Sequence, residues 1–484
     1  MVFSSVTFLF FFLPITLTVF FIFRNRPLGR NIYLVAVSLI FYFWDEKIYT
    51  LLLVAFIVIN YGFGLWIAKA GERRKTILVI SLVCNLLPLV FFKYTAFFVK
   101  NINSIIAIFG ASPMDVPRIH LPIGLSFFTF QILTYCIDVY RGKSEAQRDP
   151  LKLSLYITLF PKLLQGPIET YHHMAPQLDG GRVTAVDFAE GVRRFIIGLG
   201  RKALVANVLG PTVDRIFAVP VEDLSAPVAW LGAALYIVQI YFDLTAYTDM
   251  AIGLGRMFGY TFMENYNYAL IARSVREFWQ RNHITLMKWF RDYLYIPLGG
   301  NRVSRWITYR NIMIVFIVSG IWHGAEWSFV VWGISHGIFM CFERATNRIT
   351  ERIWRPFGNL YFLGFHMTTM IFFRISDIAY AFSYVKVMYG ITSPSVANYH
   401  IGSFFGNGDT ILAIIIALIG SVPLLPWLKE KFEFFISRRR SGSVRAALSV
   451  AYGAGRLLFY AGVLLLSAMA VASDTYNPFI YFQF

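Results

Sequence analysis

The chain has 484 residues, of which 57% are hydrophobic and 18% aromatic, with a formal net charge of +17 and a mean hydropathy of +0.58. That much apolar surface excludes a soluble domain, and runs of about 20 apolar residues point to a polytopic membrane protein. In lipid every backbone polar group must be satisfied internally, and the runs are too long for barrel strands, so the fold class is all-α. The Lys and Arg residues lie between apolar runs, where they set topology and meet membrane lipid headgroups, so no nucleic acid is expected. Cys84, Cys136 and Cys341 all fall in apolar segments, which gives neither a disulfide framework nor a metal site.

Phe3 to Phe23 is the first predicted span, and it lacks the flanks of a removable signal peptide. Arg24, Arg26 and Arg30 follow it, which predicts a cytoplasmic loop and an outside N-terminus. Asn31 to Trp44 and Ile48 to Ala68 come next, closed on the inside by Glu72, Arg73, Arg74 and Lys75. Ile77 to Phe92 leads outward to a loop over residues 101–120, although Lys93 and Lys100 near its outer end break the charge rule. Leu121 to Tyr140 mixes Pro122, Gly124, Gln131 and Asp138 with aromatics, and predicts a helix facing protein or a cavity. Arg141, Lys143 and Arg148 return it inside.

Residues 150–300 are more polar. Two prolines, Pro161 and Pro167, break residues 160–167 and predict a re-entrant or surface segment buried in protein. Val186 to Leu209 carries Arg193, Arg194, Arg201 and Lys202 on an amphipathic pattern, expected along the cytoplasmic interface. Ala226 to Phe242 is a span that runs into Asp243 and Asp249. At apolar depth these acids need partners, Arg256 or a backbone donor; a proton relay is the competing reading. Gly253, Gly255 and Gly259 do not form a dinucleotide-binding pattern. Ser274 to Gly300, rich in Trp, Tyr and Arg, predicts a helix at headgroup level with His283 in it.

Arg310 to Phe342 is apolar almost throughout and, at about 1.5 Å per residue, exceeds the about 30 Å of a hydrocarbon core. Near its middle sits Trp322-His323-Gly324-Ala325-Glu326-Trp327. An ionisable residue at that depth is a functional candidate by default, and a helix-packing histidine is its plain alternative. Shielded from water, His323 would serve as a general base toward a hydroxyl. Glu326, three residues on, would share its helix face and orient the ring. His336, about 220° round the same helix, would point elsewhere and pack. Gly320 and Gly324 permit close helix approach. Spans near Tyr361 to Phe382 and Thr410 to Trp427 follow, then an inside signal at Lys429, Lys431 and Arg438 to Arg440. Ala446 to Ala472 crosses outward and leaves the tail Asn477 to Phe484 outside. His172 and His173 lie in a loop without metal-site spacing, and no nucleophile elbow is present. The residues alone leave an intramembrane transferase, a transporter or a channel open.

Several motifs narrow this. They are Phe160-Pro161-Lys162 with Gly166-Pro167-Ile168, Tyr241-Phe242-Asp243 through Asp249 to Leu254, and Glu264-Asn265-Tyr266. Phe278-Trp279 through His283, Trp289 to Asn301 with Arg291 and Asp292, Trp322-His323-Gly324-Ala325 and the tail Phe479 to Phe484 complete the set. With them the whole chain resembles the membrane-bound O-acyltransferase family, in the branch of bacterial alginate O-acetylation and teichoic-acid D-alanyl transfer proteins. The resemblance implies one integral membrane domain over 1–484, with N-terminal helices in 1–140, a catalytic core in 150–345 and C-terminal helices in 355–484. It implies a ring of tilted helices around a thin central layer, with a tunnel meeting at His323. It makes His323 the catalytic histidine, His283 its supporting partner, and Tyr481 an acyl relay, against a plain aromatic-belt reading of Tyr481. The implied activity is transfer of an acetyl group from cytoplasmic acetyl-CoA, with no bound cofactor, across the inner cell membrane. An extracytoplasmic SGNH-type O-acetyltransferase would then deliver it to a polysaccharide, an alginate-like exopolysaccharide or cell-wall glycan. The rivals are a transporter of a glycan or acyl-donor precursor, for which no inverted repeat is visible, and a scaffold subunit.

Overall fold

The computed structural model describes residues 1–179, 183–346, 352–392, 399–406, 408–438, 442–473 and 476. All regular structure among them is helical. Four stretches are long and apolar enough to cross a membrane: Pro27–Lys69, Gly71–Ile108, Ala226–Met257 and Gly442–Ser473. A bent pair, Gly408–Gly420 with Leu424–Ser437, makes up to five if it is counted as one span.

The first apolar segment is a wide turn, Phe8–Phe12, running into α1 (Leu13–Phe23). The stretch Pro27–Lys69 holds two helices, α2 (Pro27–Glu46) and α3 (Thr50–Lys69), that turn at Lys47, where φ is 41°. Their directions oppose. Glu46 meets His120, just before α5 (Leu125–Tyr140), whereas the Tyr61 hydroxyl donates to the Arg148 carbonyl beyond the other end of α5. The ends bearing Arg24, Arg26, Arg74 and Arg141 therefore share one face of the molecule, here the basic face. α4 (Arg74–Ile108) runs from it to the opposite face.

α5 is buried along nearly its whole length, as its polar texture predicts. The proline-broken segment, α6 (Pro150–Thr158) and α7 (Phe160–Leu163) with residues 164–170, is also buried in protein. Lys162 is satisfied inside it by the Gln131 side chain and the Tyr156 carbonyl. A short helix α8 (Tyr171–Met174) leads to α9 (Ala185–Arg201).

Three expectations need correction. First, 186–209 does not lie along an interface. α9 and α10 (Asn207–Phe217) form one long helical rod against α11 (Ala226–Met257), antiparallel, with Gly191 against Gly253 and Gly198 against the Ala246 carbonyl. Arg194, Arg201 and Lys202 tolerate that position because Asp249 and Asp243 of α11 supply counter-charges. Second, Ser274 to Gly300 is not one headgroup helix. It is α12 (Val275–Arg281) and α13 (Ile284–Phe290), broken at Asn282 and His283, with Phe278, Trp279 and Phe290 in the core. Third, Arg310 to Phe342 is not a single helix. α14 (Arg305–His323) stops at Gly324, in extended backbone, and α15 (Trp327–Ala345) folds back on it. The arms meet at glycines: a Cβ on Gly320 would lie 2.4 Å from the Phe329 carbonyl oxygen and 3.3 Å from Gly333 Cα.

The far end of this hairpin is tied to α12. Glu343 accepts from the Val275 and Arg276 amides at 2.7 and 2.8 Å, a carboxylate at a helix N-terminus. The remaining helices are α16 (Arg355–Arg374), α17 (Ile378–Met388), α18 (Gly408–Gly420), α19 (Leu424–Ser437) and α20 (Gly442–Ser473). The predicted span 361–382 is thus interrupted between Arg374 and Ile378.

Candidate active site

His323 is the last residue of α14, at the tip of the hairpin on the side away from the basic face. Its side chain is 7% exposed. The ring is held edge-on by Trp322, Trp332 and Phe373, with centroids at 4.9, 5.0 and 5.2 Å. Its Nδ1 has no hydrogen-bond partner among the described residues, so the imidazole is positioned by aromatic packing.

The other face of Trp322 leads to His283, at 6.2 Å between ring centroids. His283 has φ 50° and ψ 46°, a left-handed conformation that costs a residue with a Cβ. Asn265 holds it there. Its carbonyl accepts from the Ile284 amide at 2.9 Å, and its side-chain oxygen accepts from the Thr285 amide at 3.0 Å and hydroxyl at 2.8 Å. Of the predicted site residues, His323, His283, Trp322 and Asn265 therefore converge.

Two cavities approach this group from different sides. The first, of about 830 Å³, is lined by Lys93, His120, Gly324, Glu326, Phe329, Phe373 and Arg374, among others. It adjoins the residue after His323 and one of the rings that grip it. The second, of about 480 Å³, is lined by Arg193, Arg194, Arg201, Asp249, Tyr241 and Tyr266, among others. The Tyr266 ring lies 6.0 Å from His283. The two cavities share no lining residue. A chain of rings, from Tyr266 through His283, Trp322 and His323 to Phe373, leads from the wall of the second cavity to the wall of the first.

The other predicted residues lie apart. Asp249 bridges Arg194 (3.0 Å) and Arg201 in the wall of the second cavity, and Arg194 also pairs with Glu264. Asp243 pairs with Lys202 at 2.6 Å, both nearly buried. The acids are partnered, as expected, but by α9 and its extension and not by Arg256. Glu326 cannot orient the ring from a shared helix face, because α14 ends before it. It pairs with Lys100 at 3.0 Å at the rim of the first cavity. Arg291 and Asp292 pair with each other at 2.8 Å, and Arg141 donates to the Asp292 carbonyl, which places them at the basic face. Tyr481 lies outside the described residues.

His336 does pack: Trp279 Nε1 donates to its Nδ1 at 3.1 Å. The hairpin nevertheless brings it near the site, with Trp332 between it and His323. Trp332 and Phe373 escaped sequence reasoning, and Tyr266 entered it only as part of a motif, since nothing in an aromatic residue marks which ring will face a histidine. Lys93 carried a signal, a lysine on the wrong half of a span. On the basic side, His173 Nδ1 meets the buried Glu169 carboxylate at 2.7 Å, and that bond raises the imidazole pKa above its ordinary 6.5.

The membrane-bound O-acyltransferase family model matches residues 38–385. The probable alginate O-acetylase of Azotobacter vinelandii is 35% identical over the full length of both chains. The peptidoglycan O-acetyltransferase of Helicobacter pylori is 33% identical over 82% of this chain and 81% of its own. The teichoic acid D-alanyltransferase of Bacillus subtilis is 26% identical over 48% and 62% respectively. With the family model spanning most of the chain and full-length relatives beside it, this protein belongs to the membrane-bound O-acyltransferase family and is a membrane-embedded acyltransferase.

Proposed function

We propose that this acyltransferase carries an acetyl group from cytoplasmic acetyl-CoA to the outside of the inner membrane, for O-acetylation of an alginate-like exopolysaccharide or a cell-wall glycan. The observation that carries this reading is the place of His323. Its neighbours Gly324 and Phe373 line one chamber, and through Trp322 and His283 it is linked to Tyr266 in the wall of a second. The basic face is assigned to the cytoplasm by its Arg and Lys residues, which puts both termini outside. The donor enters the polar chamber, where the Arg194–Asp249–Arg201 group offers fixed donors beside Tyr241 and Tyr266.

In the reaction, His323 takes the proton of the attacking hydroxyl as its oxygen bonds the thioester carbonyl carbon. The C–S bond then breaks, and the leaving thiolate receives that proton from the imidazolium. General base catalysis supplies about 10²–10⁴-fold, and the enclosed site adds positioning. Asn265 acts through the His283 turn, and His283 through Trp322.

The attacking hydroxyl is that of Tyr481. Its tail is anchored nearby: the Tyr476 hydroxyl donates to Asp214 at 2.6 Å, and Asp214 also pairs with Arg374, which lines the first cavity. Five further residues separate this anchor from Tyr481, a reach of about 17 Å in extended form. An extracytoplasmic SGNH-type acyl-accepting protein takes the group from Tyr481 by the same exchange of ester for hydroxyl.

The test is complementation of a deletion strain. His323→Ala at wild-type protein level is expected to lose glycan O-acetylation. Normal acetylation in that strain would end the reading.

A further inference from the structure

The last turn of an α-helix leaves four carbonyls without partners inside the helix, and a buried helix end needs them met from elsewhere. In α14 these are the carbonyls of Gly320, Ile321, Trp322 and His323. The Gly324 amide serves Gly320 at 3.3 Å. The other three are served by two consecutive residues of α4. The Tyr94 hydroxyl donates to Ile321 at 2.7 Å, and the Lys93 ammonium donates to Trp322 at 2.6 Å and to His323 at 3.0 Å. One turn and two turns further along α4, Phe97 and Asn101 grip Trp327, the first residue of α15. The outer half of α4 thus clasps the tip of the hairpin from both sides of its break.

Lys93 differs from the rest of this clasp in three ways. It bridges two carbonyls, one of them that of His323 itself. It sets a side-chain donor at the negative end of the α14 dipole, the end at which donors are favoured. It also lines the chamber that His323 adjoins. Its position on the outward half of its span goes against the charge rule for loops, and this contact accounts for it. We propose that Lys93 is a positioning residue for the acyl transfer, fixing His323 beside the chamber by capping α14. The proposal rests on the reading of His323 as the general base.

The test uses full-length protein in lipid nanodiscs with radiolabelled acetyl-CoA, and reads the single-turnover rate constant of acyl labelling and the acetyl-CoA concentration that half-saturates it, written below as kcat and KM. Lys93→Met keeps the stem and removes both bonds. It is expected to lower kcat by about 10- to 100-fold, the scale of a displaced catalytic group, with the donor KM within about twofold of wild type. Lys93→Arg, which can still donate to two carbonyls, is expected to restore most of kcat. Tyr94→Phe uncaps Ile321 but touches neither His323 nor the chamber, and is expected to stay near wild type. A wild-type kcat in Lys93→Met, or a change confined to KM, would overturn the proposal. So would an equal loss of kcat in Tyr94→Phe, which would mark a general helix-end effect. If Lys93→Met does not accumulate, Lys93→Gln takes its place with the same criteria. His323→Ala runs alongside: activity there would sink the base assignment itself, whereas an inactive His323→Ala beside a fully active Lys93→Met sinks only the role of Lys93.

Discussion

Replacing Gly320 with alanine should disable the protein without removing any polar group. The new Cβ would lie 2.4 Å from the Phe329 carbonyl oxygen, where ordinary contact starts at 3.4 Å, a shortfall of 3.4 − 2.4 = 1.0 Å. Both near neighbours, the Phe329 carbonyl and Gly333 Cα, are backbone, so no side-chain rotation relieves the clash. The arms of the hairpin must part by about that much, three residues before His323. Overpacking of this kind costs about 1–3 kcal/mol of stability. A displacement of about 1 Å in a group that must meet its substrate costs on the order of 10²-fold in rate. Gly320→Ala is therefore expected to keep roughly a hundredth of wild-type O-acetylation, normalised to membrane protein, with a lowered thermal midpoint in detergent. Gly453→Ala is the control, because nothing lies within 4 Å of a Cβ there, and it should retain full activity. Activity in Gly320→Ala within about threefold of wild type would refute the idea that the hairpin contact sets the histidine.

Asp249→Asn removes the shared counter-charge of Arg194 and Arg201; with its side chain 15% exposed, the loss should sit near the low end, about 3 kcal/mol, of the range for broken buried pairs. Thermal unfolding in detergent checks this, and an unchanged midpoint would show that the two arginines find other partners. His173 titrates against Glu169 with its folded pKa raised. The bond therefore stabilises fully below pH 6.5, the unfolded value, and the charged part of that stabilisation is lost as pH rises through the folded pKa. The midpoint difference between wild type and His173→Gln should accordingly be larger at pH 5.5 than at pH 9, and a difference that grows with pH would contradict the assignment. Tyr476→Phe frees the tail anchor from Asp214 and should slow transfer while leaving donor binding intact, as equilibrium binding of labelled acetyl-CoA would report.

What could be read from the chain, and what could not, follows from the range of the forces involved. α5 was legible because Gln131, Thr134 and Asp138 inside an apolar run can only face protein, and they do. His323 was legible as an ionisable residue in an apolar stretch, and the proline-broken 160–167 segment as buried irregular structure. The hairpin was hidden because its two arms are both apolar and its turn, Gly324 to Glu326, is only three residues long. Once it folds back, helical-wheel arguments about Glu326 and His336 lose their basis. α9 was misread for a different reason. Its basic residues look like an interface until the carboxylates of Asp243, Asp249 and Glu264 reach Lys202, Arg201 and Arg194 from segments some 40 to 70 positions away. Long-range charge pairing leaves no local periodicity. The same holds for Lys93, which looked like a topology error and is a helix cap supplied across 229 positions of sequence.

The most direct test is covalent. Purified protein in nanodiscs, given acetyl-CoA labelled in the acetyl group, should acquire a stable acyl label, and the label should be absent from His323→Ala and from Tyr481→Phe at equal protein. Equal labelling of His323→Ala and wild type would contradict the account at its centre, since the imidazole between the two chambers would then have no part in moving the acyl group.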